Sequence, residues 1–302
     1  MCWRKASEIL RLCSTPASII SPFPLFAVSL FLLSGRELNI NDLPLLFAGI
    51  AVSLLSSFGS NLWNHCNDIN EDKAAGKSNI LTQETLMHKT ALLVSTFLYI
   101  CSILLVYYLS MELKRPIYLY FLAWVLVTWW YSDNFLCKRI IGFRLKDHYM
   151  GELFTYAISG PAFTLSMWLI YSDFNAAGLI IALAFLFFII SMLLLKDLKD
   201  ISGDRKAGLR TFGVVFSPSQ LVRYSSYLLI LYFLVILNPI TINLLGMGIL
   251  VLALPFFYFF KNTFVHMCKK NWTLDRGDLK ALKSIGYSVY ASVIFLGLAH
   301  FF

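Results

Sequence analysis

The sequence predicts an all-α polytopic membrane protein with nine transmembrane helices, and composition, run length and charge distribution all support that class. Hydrophobic residues make up 58% of the 302-residue chain, and the mean hydropathy is +0.70, far above that of a soluble domain. Apolar runs of about 18–25 residues recur along the chain, each long enough to cross about 30 Å of hydrocarbon. The runs are continuous and do not alternate, which disfavours a β-barrel.

The nine runs follow one another from the N-terminus to the C-terminus. Arg4, Lys5 and Arg11 precede the first run and are typical of the charged start of a signal peptide. That run, however, is long, contains Pro22 and Pro24 and lacks a cleavage site with small residues, so we interpret it as the first membrane helix. The predicted spans are residues 17–35, 44–66, 90–111, 116–133, 149–171, 176–197, 218–238, 241–260 and 284–302.

The basic residues predict the orientation of the chain. If the N-terminus lies in the cytoplasm, 22 of the 25 lysines and arginines fall on the cytoplasmic side, and the other three are Arg36, Lys114 and Arg115. The net charge of +8 is then explained by topology and by contact with anionic lipid headgroups, so no nucleic acid partner is expected. We therefore expect an integral protein of the cell membrane.

Two acidic clusters lie at the ends of predicted spans on the cytoplasmic side. The first consists of Asn64, Asp68 and Asp72, which on a continuous helix share one face because they are spaced four residues apart. The second, at the end of the sixth span, consists of Asp197, Asp200 and Asp204. Their spacing also places them on one face if the helix continues.

The position of the two clusters, four spans apart, indicates an internal duplication. We expect one domain over residues 1–302, with helices 1–4 and 5–8 as related halves and the ninth helix added.

Two acidic helix ends that face one another repel unless cations lie between them. Carboxylate and carboxamide oxygens favour Mg²⁺, Mn²⁺ or Ca²⁺ over zinc or copper. Because Mg²⁺ is readily shared with substrate phosphates and basic residues flank both clusters, the pattern indicates a diphosphate site with two Mg²⁺ ions.

The apolar helices suit a long hydrocarbon tail, so the expected donor is an isoprenyl diphosphate. Ionisation of its allylic C1–O bond leaves a carbocation, which the rings of Tyr131, Trp129 or Trp130 can stabilise. A lipophilic acceptor, either an aromatic ring or a lipid, then captures the carbocation.

Two segments resemble the paired motifs of the UbiA superfamily of intramembrane prenyltransferases. Asn64, Asp68 and Asp72 match the family's NxxxDxxxD pattern, and Asp200 and Asp204 match its second, DxxxD, motif. A third block is similar to the family's YS…RLK…GE segment and consists of Tyr131-Ser132, Arg144-Leu145-Lys146 and Gly151-Glu152.

The resemblance implies nine helices around a central cavity, cytosolic caps over helix connections 2–3 and 6–7, and two Mg²⁺ ions. The expected metal-binding residues are Asn64, Asp68, Asp72, Asp197, Asp200 and Asp204. The expected diphosphate-binding residues are Asn64, Lys73, Lys77, Arg144, Lys146 and Arg205. The residues expected to act in catalysis are Asp68, Tyr131, Lys146 and Asp200. The active site is expected to face the cytoplasm.

The branch of the superfamily stays open between archaeal members and the menaquinone and vitamin K branch. The segment after Asp72 lacks the Arg-Pro pattern of the lipid and quinone-ring branches, whereas Asn61-Leu-Trp-Asn64 resembles the menaquinone branch.

Two other functions stay open at this point. One is a divalent-cation or lipid transporter, which predicts acidic residues deep in the bilayer, whereas Glu37, Asp42, Glu112 and Asp173 lie in outer connections. The other is an intramembrane terpene cyclase or prenyl diphosphatase that uses the same metal site.

Overall fold

The structure, a computed structural model, describes residues 2–14, 23–74, 76, 78–83, 85–199 and 201–302. These residues form helices, turns and connections, and the β geometry among them is an isolated parallel bridge between His148 and Arg210.

Eight α-helices lie in the first half of the chain. They are α1 (Cys2–Cys13), α2 (Phe23–Leu33), α3 (Leu43–Asn67), α4 (Ile69–Ala74), α5 (Ile80–Gln83), α6 (Thr85–Glu112), α7 (Ile117–Ser132) and α8 (Cys137–Ile140). The second half contains α9 (Tyr149–Tyr171), α10 (Ala176–Lys196), α11 (Ile201–Lys206), α12 (Phe212–Val215), α13 (Pro218–Ile236), α14 (Pro239–Leu245), α15 (Ala253–Phe259), α16 (Val265–Lys269) and α17 (Leu279–Leu298). Turns of 3₁₀ helix cover Leu145–Asp147, Asp197–Lys199, Met247–Leu252, Arg276–Asp278 and Ala299–Phe301, and Phe260–Phe264 is π-helical.

Within the described residues, seven helices are long and apolar enough to cross a membrane. They are α3, residues Met87–Glu112 of α6, α9, α10, α13, the composite helix Met247–Lys269 and the helix Leu279–Phe301. Two shorter apolar helices, α2 and α7, fall within the predicted spans 17–35 and 116–133. Helix α7 has 16 residues. At 1.5 Å per residue it is about 24 Å long, which is less than the hydrocarbon thickness. The prediction of an all-helical membrane protein is thus confirmed, whereas nine spans and a cytoplasmic N-terminus stay predictions.

The eighth apolar helix lies further along the chain than the predicted span 241–260. Asn238 accepts hydrogen bonds from the backbone amides of Ile240 and Thr241, so a separate short helix, α14, begins at Pro239. This helix ends at Leu245 and is followed by Gly246, whose φ of +90° is accessible to glycine at little cost. A new helix then runs from Met247 to Lys269, so the connection to the last helix is shorter than the predicted 261–283.

Neighbouring helices are joined by apolar packing and by hydrogen bonds between small polar side chains. Ser29 Oγ in α2 donates to the carbonyl oxygen of Val293 in α17 at 2.7 Å. The hydroxyl groups of Ser191 in α10 and Ser225 in α13 are 2.7 Å apart. Small hydroxyl residues let helices approach closely in an apolar environment, which holds the bundle together.

Three helices end, and one begins, at the same end of the bundle. Helices α3, α7 and α10 stop there, and α9 starts there after the 3₁₀ turn Leu145–Asp147. The backbone amide of Tyr149 donates to the carbonyl oxygen of Arg210 at 2.8 Å, and the Arg210 amide donates to that of Asp147 at 3.1 Å. These bonds join the connection before α9 to the segment that follows α11.

Candidate active site

A polar cavity of about 190 Å³ lies at this end of the bundle. Among the described residues that line it, six carry carboxylates and two are lysines. The carboxylates belong to Asp68, Glu71, Asp72, Glu152, Asp197 and Asp204, and the lysines are Lys146 and Lys196. Residues of both predicted acidic clusters therefore line one cavity.

The first cluster spans a break between two helices, which corrects the expectation of one continuous helix. Helix α3 ends at Asn67, and Asp68 leaves helical geometry with φ −99° and ψ 12°. The side-chain amide of Asn134 donates to the carbonyl oxygen of Asn67 at 2.5 Å, which replaces the next helical hydrogen bond. The amide of Asp72 still donates to the Asp68 carbonyl oxygen at 2.8 Å, so Asn64, Asp68 and Asp72 remain on the cavity wall.

Two contacts fix the oxygens of the first cluster. Ser132 Oγ, at the end of α7, donates to Oδ1 of Asn64. Lys146 Nζ donates to Oδ1 of Asp68 and forms an ion pair with it. Burial raises the pKa of Asp68, and the ammonium of Lys146 offsets that effect only in part. Lys146, from the third motif, thus lies against Asp68, the middle residue of the first cluster.

Arg144 lies behind the cavity wall. It is 2% exposed and donates hydrogen bonds of 2.6 Å from Nη2 to both Glu71 and Asp147. Its Nη1 is 4.0 Å from Oδ1 of Asp68 and has no hydrogen-bond partner. Arg144 therefore joins the connection before α9 to helix α4, one layer outside the cavity.

Two other predicted basic residues, Lys73 and Arg205, do not line the cavity. Both are exposed, and Lys77 lies outside the described residues.

The second cluster also differs from one continuous helix. Helix α10 ends at Lys196, and Asp197 begins a 3₁₀ turn. Asp197 is 3% exposed and accepts a hydrogen bond of 3.4 Å from the backbone amide of Gly213. Burial raises the pKa of Asp197, and the charge of Lys196 opposes that effect. Asp204 accepts a hydrogen bond of 2.8 Å from Thr211 Oγ1, and Asp200 lies outside the described residues.

Three charged residues of the cavity were not among the predicted site residues. Glu71 lies next to Asp72, Lys196 precedes Asp197, and Glu152 belongs to the Gly-Glu pair of the third motif. The sequence feature that could have identified them is their position beside motif residues. The sequence alone does not show which neighbours of a motif point into the cavity, because that depends on how the helices end.

Tyr131 connects the two sides of the cavity. Its hydroxyl donates to Oε1 of Glu152 at 3.0 Å, and Lys196 Nζ donates to the same hydroxyl at 3.2 Å. Glu152 is 2% exposed and also accepts a hydrogen bond of 3.4 Å from the amide of Phe212. The ring of Tyr131 is thereby held in one position.

A model of the UbiA prenyltransferase family matches residues 22–275. The chain belongs to the UbiA prenyltransferase family. It is therefore an integral membrane enzyme of the prenyltransferase class. A relative from Archaeoglobus fulgidus, named as an uncharacterized protein, is 34% identical over 292 residues, which cover 95% of this chain and 96% of the relative.

Solved structures of UbiA proteins share this fold. A structure of digeranylgeranylglyceryl phosphate synthase aligns over 98% of both chains with a TM-score of 0.67 and 17% identity. A UbiA homolog from Archaeoglobus fulgidus, bound to GPP and Mg²⁺, aligns over 97% of this chain and 99% of its own with a TM-score of 0.63 and 16% identity. The same comparison with a UbiA homolog bound to DMAPP and Mg²⁺ gives a TM-score of 0.62 at 16% identity.

The donor atoms of the cavity suit a hard divalent cation. They are carboxylate and carboxamide oxygens, and Oε2 of Glu71 is buried without a hydrogen-bond partner. Within the described residues, which do not include Asp200, no three His, Cys, Asp or Glu side chains form a metal site by themselves. This arrangement fits Mg²⁺, which retains waters and takes part of its coordination from substrate phosphates.

Proposed function

We propose that this UbiA enzyme transfers a polyisoprenyl group from an isoprenyl diphosphate to a lipophilic acceptor within the membrane and releases diphosphate. The observation that carries the proposal is that two acidic clusters and two lysines line one cavity at the end of an apolar helix bundle. The UbiA homolog from Archaeoglobus fulgidus that binds GPP or DMAPP with Mg²⁺ supports the donor class.

The residues that would hold Mg²⁺ are Asn64, Asp68, Asp72, Asp197 and Asp204, together with Asp200. Bound Mg²⁺, for which we propose two ions, supplies positive charge that attracts the diphosphate and stabilises it as a leaving group. Ser132 orients the carboxamide of Asn64, and Thr211 orients the carboxylate of Asp204.

Lys146 contributes fixed positive charge next to Asp68. It is largely buried, so its charge is weakly screened and favours a diphosphate in the cavity. Tyr131, held by Glu152, presents an aromatic ring at the cavity wall where an allylic carbocation would develop.

The distribution of basic residues supports a cavity that faces the cytoplasm. The ends of α3 and α10 both carry acidic residues, which supports a single domain with two related halves.

Transfer of a radiolabelled prenyl group tests the proposal, with the wild type compared with Asp68→Asn and Asp200→Asn. We expect turnover to fall by about a hundredfold or more in both variants, because each removes a charge that holds the metal–diphosphate group. Asp173→Asn is a matched control, since Asp173 is 83% exposed and pairs with Arg115 in a separate pocket. Undiminished turnover in Asp68→Asn and Asp200→Asn would contradict the proposal.

Product analysis with and without acceptor candidates separates transfer from the cyclase and diphosphatase alternatives. A transferase joins the prenyl group to the acceptor, whereas the alternatives consume the donor without one. The transporter alternative finds no support, because the chain belongs to a family of prenyltransferases.

A further inference from the structure

The two lysines of the described cavity have different partners. Lys146 pairs with the carboxylate of Asp68. Lys196 has no described carboxylate within ion-pair distance and instead donates to the hydroxyl groups of Tyr131 at 3.2 Å and Tyr156 at 3.3 Å. Its Nζ also lies 5.5 and 5.6 Å from the centres of these two rings. The hydrogen-bond partners of Lys196 are therefore neutral, and its charge acts on the carboxylates of Glu152 and Asp197 only from beyond ion-pair distance.

Because its hydrogen-bond partners are neutral, Lys196 can exchange them for an anion. An ammonium binds a phosphate oxygen through a charge-assisted hydrogen bond, which is roughly twice as strong as a bond between neutral groups. The side chain of Lys196 is exposed and lines the cavity, so an anion can reach it without displacing a carboxylate. A diphosphate in the cavity would compete with both phenols for this ammonium.

The phenol of Tyr131 does not follow the ammonium. Tyr131 is held in place by its hydrogen bond to Glu152, and the ammonium lies beside the hydroxyl edge of the ring, so the ammonium is the group that moves.

We propose that Lys196 exchanges partners when the donor binds, leaving the phenols of Tyr131 and Tyr156 for an oxygen of the donor diphosphate. The proposal rests on the proposed function. As the C1–O bond breaks, its electron pair stays on the diphosphate oxygen, whose charge Lys196 stabilises. The acceptor atom supplies the electron pair of the new bond to C1, and the proton it loses goes to the released diphosphate.

Binding of inorganic diphosphate in the presence of Mg²⁺, measured by calorimetry on the purified full-length protein, tests the exchange without catalysis. We expect Lys196→Met to weaken binding by about tenfold or more, as loss of a charged hydrogen bond does. Arg223→Met is the matched control, because Arg223 lies 5.7 Å from the ring centre of Tyr227 and outside the cavity lining. Its affinity for diphosphate is expected to equal that of the wild type.

Tyr156→Phe distinguishes exchange from a purely structural role. Removing one phenol weakens the resting position of Lys196, so we expect diphosphate to bind about two- to fivefold more tightly. If the contact between Lys196 and Tyr156 only maintains the shape of the cavity, the opposite result is expected. Lys196→Met and Tyr156→Phe would then both weaken diphosphate binding, because each removes that contact. Thermal unfolding of each variant shows whether the protein is folded.

The possible results separate the two proposals. The exchange is overturned if Lys196→Met binds diphosphate as tightly as the wild type, or if folded Tyr156→Phe binds it more weakly. Either result leaves the proposed function intact. A wild type that binds no diphosphate with Mg²⁺ would overturn both.

Discussion

Replacement of Gly151 by alanine is expected to displace Lys146 from Asp68. A Cβ atom on Gly151 would lie 2.1 Å from the backbone oxygen of Leu145 and 2.9 Å from its Cα. Carbon–oxygen contacts normally begin at about 3.3 Å, so the two segments must separate by about 1 Å. Because Leu145 directly precedes Lys146 in the 3₁₀ turn, this shift moves the lysine that pairs with Asp68.

The expected cost is large for activity and moderate for stability. A misplacement of about 1 Å in a site costs about a hundredfold in rate, and overpacking costs about 1–3 kcal/mol of stability. Initial rates of prenyl transfer over a range of donor concentrations measure the first effect, and thermal unfolding in detergent measures the second. We expect kcat to fall in Gly151→Ala while the protein stays folded.

The control for this substitution is Gly286→Ala. A Cβ atom at Gly286 meets no atom within 4 Å, so both the rate and the unfolding temperature are expected to stay near those of the wild type. If folded Gly151→Ala turns over as fast as Gly286→Ala, the placement of Lys146 is not important for the reaction and the reasoning is refuted.

Three further predictions concern metal binding and stability. Ser132→Ala removes the hydroxyl that donates to Asn64, so the Mg²⁺ concentration needed for half-maximal diphosphate binding is expected to rise by about three- to tenfold; an unchanged titration curve would argue against the role of Ser132. Chelation of divalent cations by EDTA is expected to stop diphosphate release, and Mg²⁺ but not Zn²⁺ is expected to restore it; full activity in EDTA would exclude a metal-dependent step. Hydrogen bonds from Lys270 and from the amide of Asp275 hold the pKa of Asp278 well below its usual range. The Asp278 carboxylate therefore stabilises the folded protein at pH values above the pKa of an aspartate in the unfolded chain, about 3.9, and this stabilisation is lost as the pH falls below that value. Asp278→Asn removes it, so the variant is expected to unfold at a lower temperature than the wild type at pH 7. The difference from the wild type is expected to narrow below pH about 4, and a difference that is constant with pH would contradict this assignment.

Much of the fold follows from local sequence properties. Long apolar runs are sufficient to predict membrane helices, because the bilayer sets their length and composition. Residues four apart lie on one side of a helix, and the described members of both predicted clusters do line one cavity. Hydrogen bonds from Asp72 to Asp68 and from Asp68 to Asn64 preserve this alignment across the break after α3.

The remaining features depend on contacts between distant segments. The break at Asp68 needs Asn134, which is far along the chain and competes for the carbonyl of Asn67. Arg144 lies behind the wall because Glu71 and Asp147 both bind it, and no local pattern specifies that pair of partners. Helix ends are likewise set by tertiary contacts, so Lys196 could not be placed in the cavity from spacing alone.

The central claim is that both acidic clusters hold one metal–diphosphate group. The most direct measurement is a crystal structure with Mn²⁺ in place of Mg²⁺ and a non-reactive prenyl thiodiphosphate, in which the anomalous signal locates the ions. We expect the ions to lie between the end of α3 and the segment after α10, with the diphosphate bridging them near Lys146. Ions bound outside this cavity, or a diphosphate that contacts one cluster alone, would contradict the account.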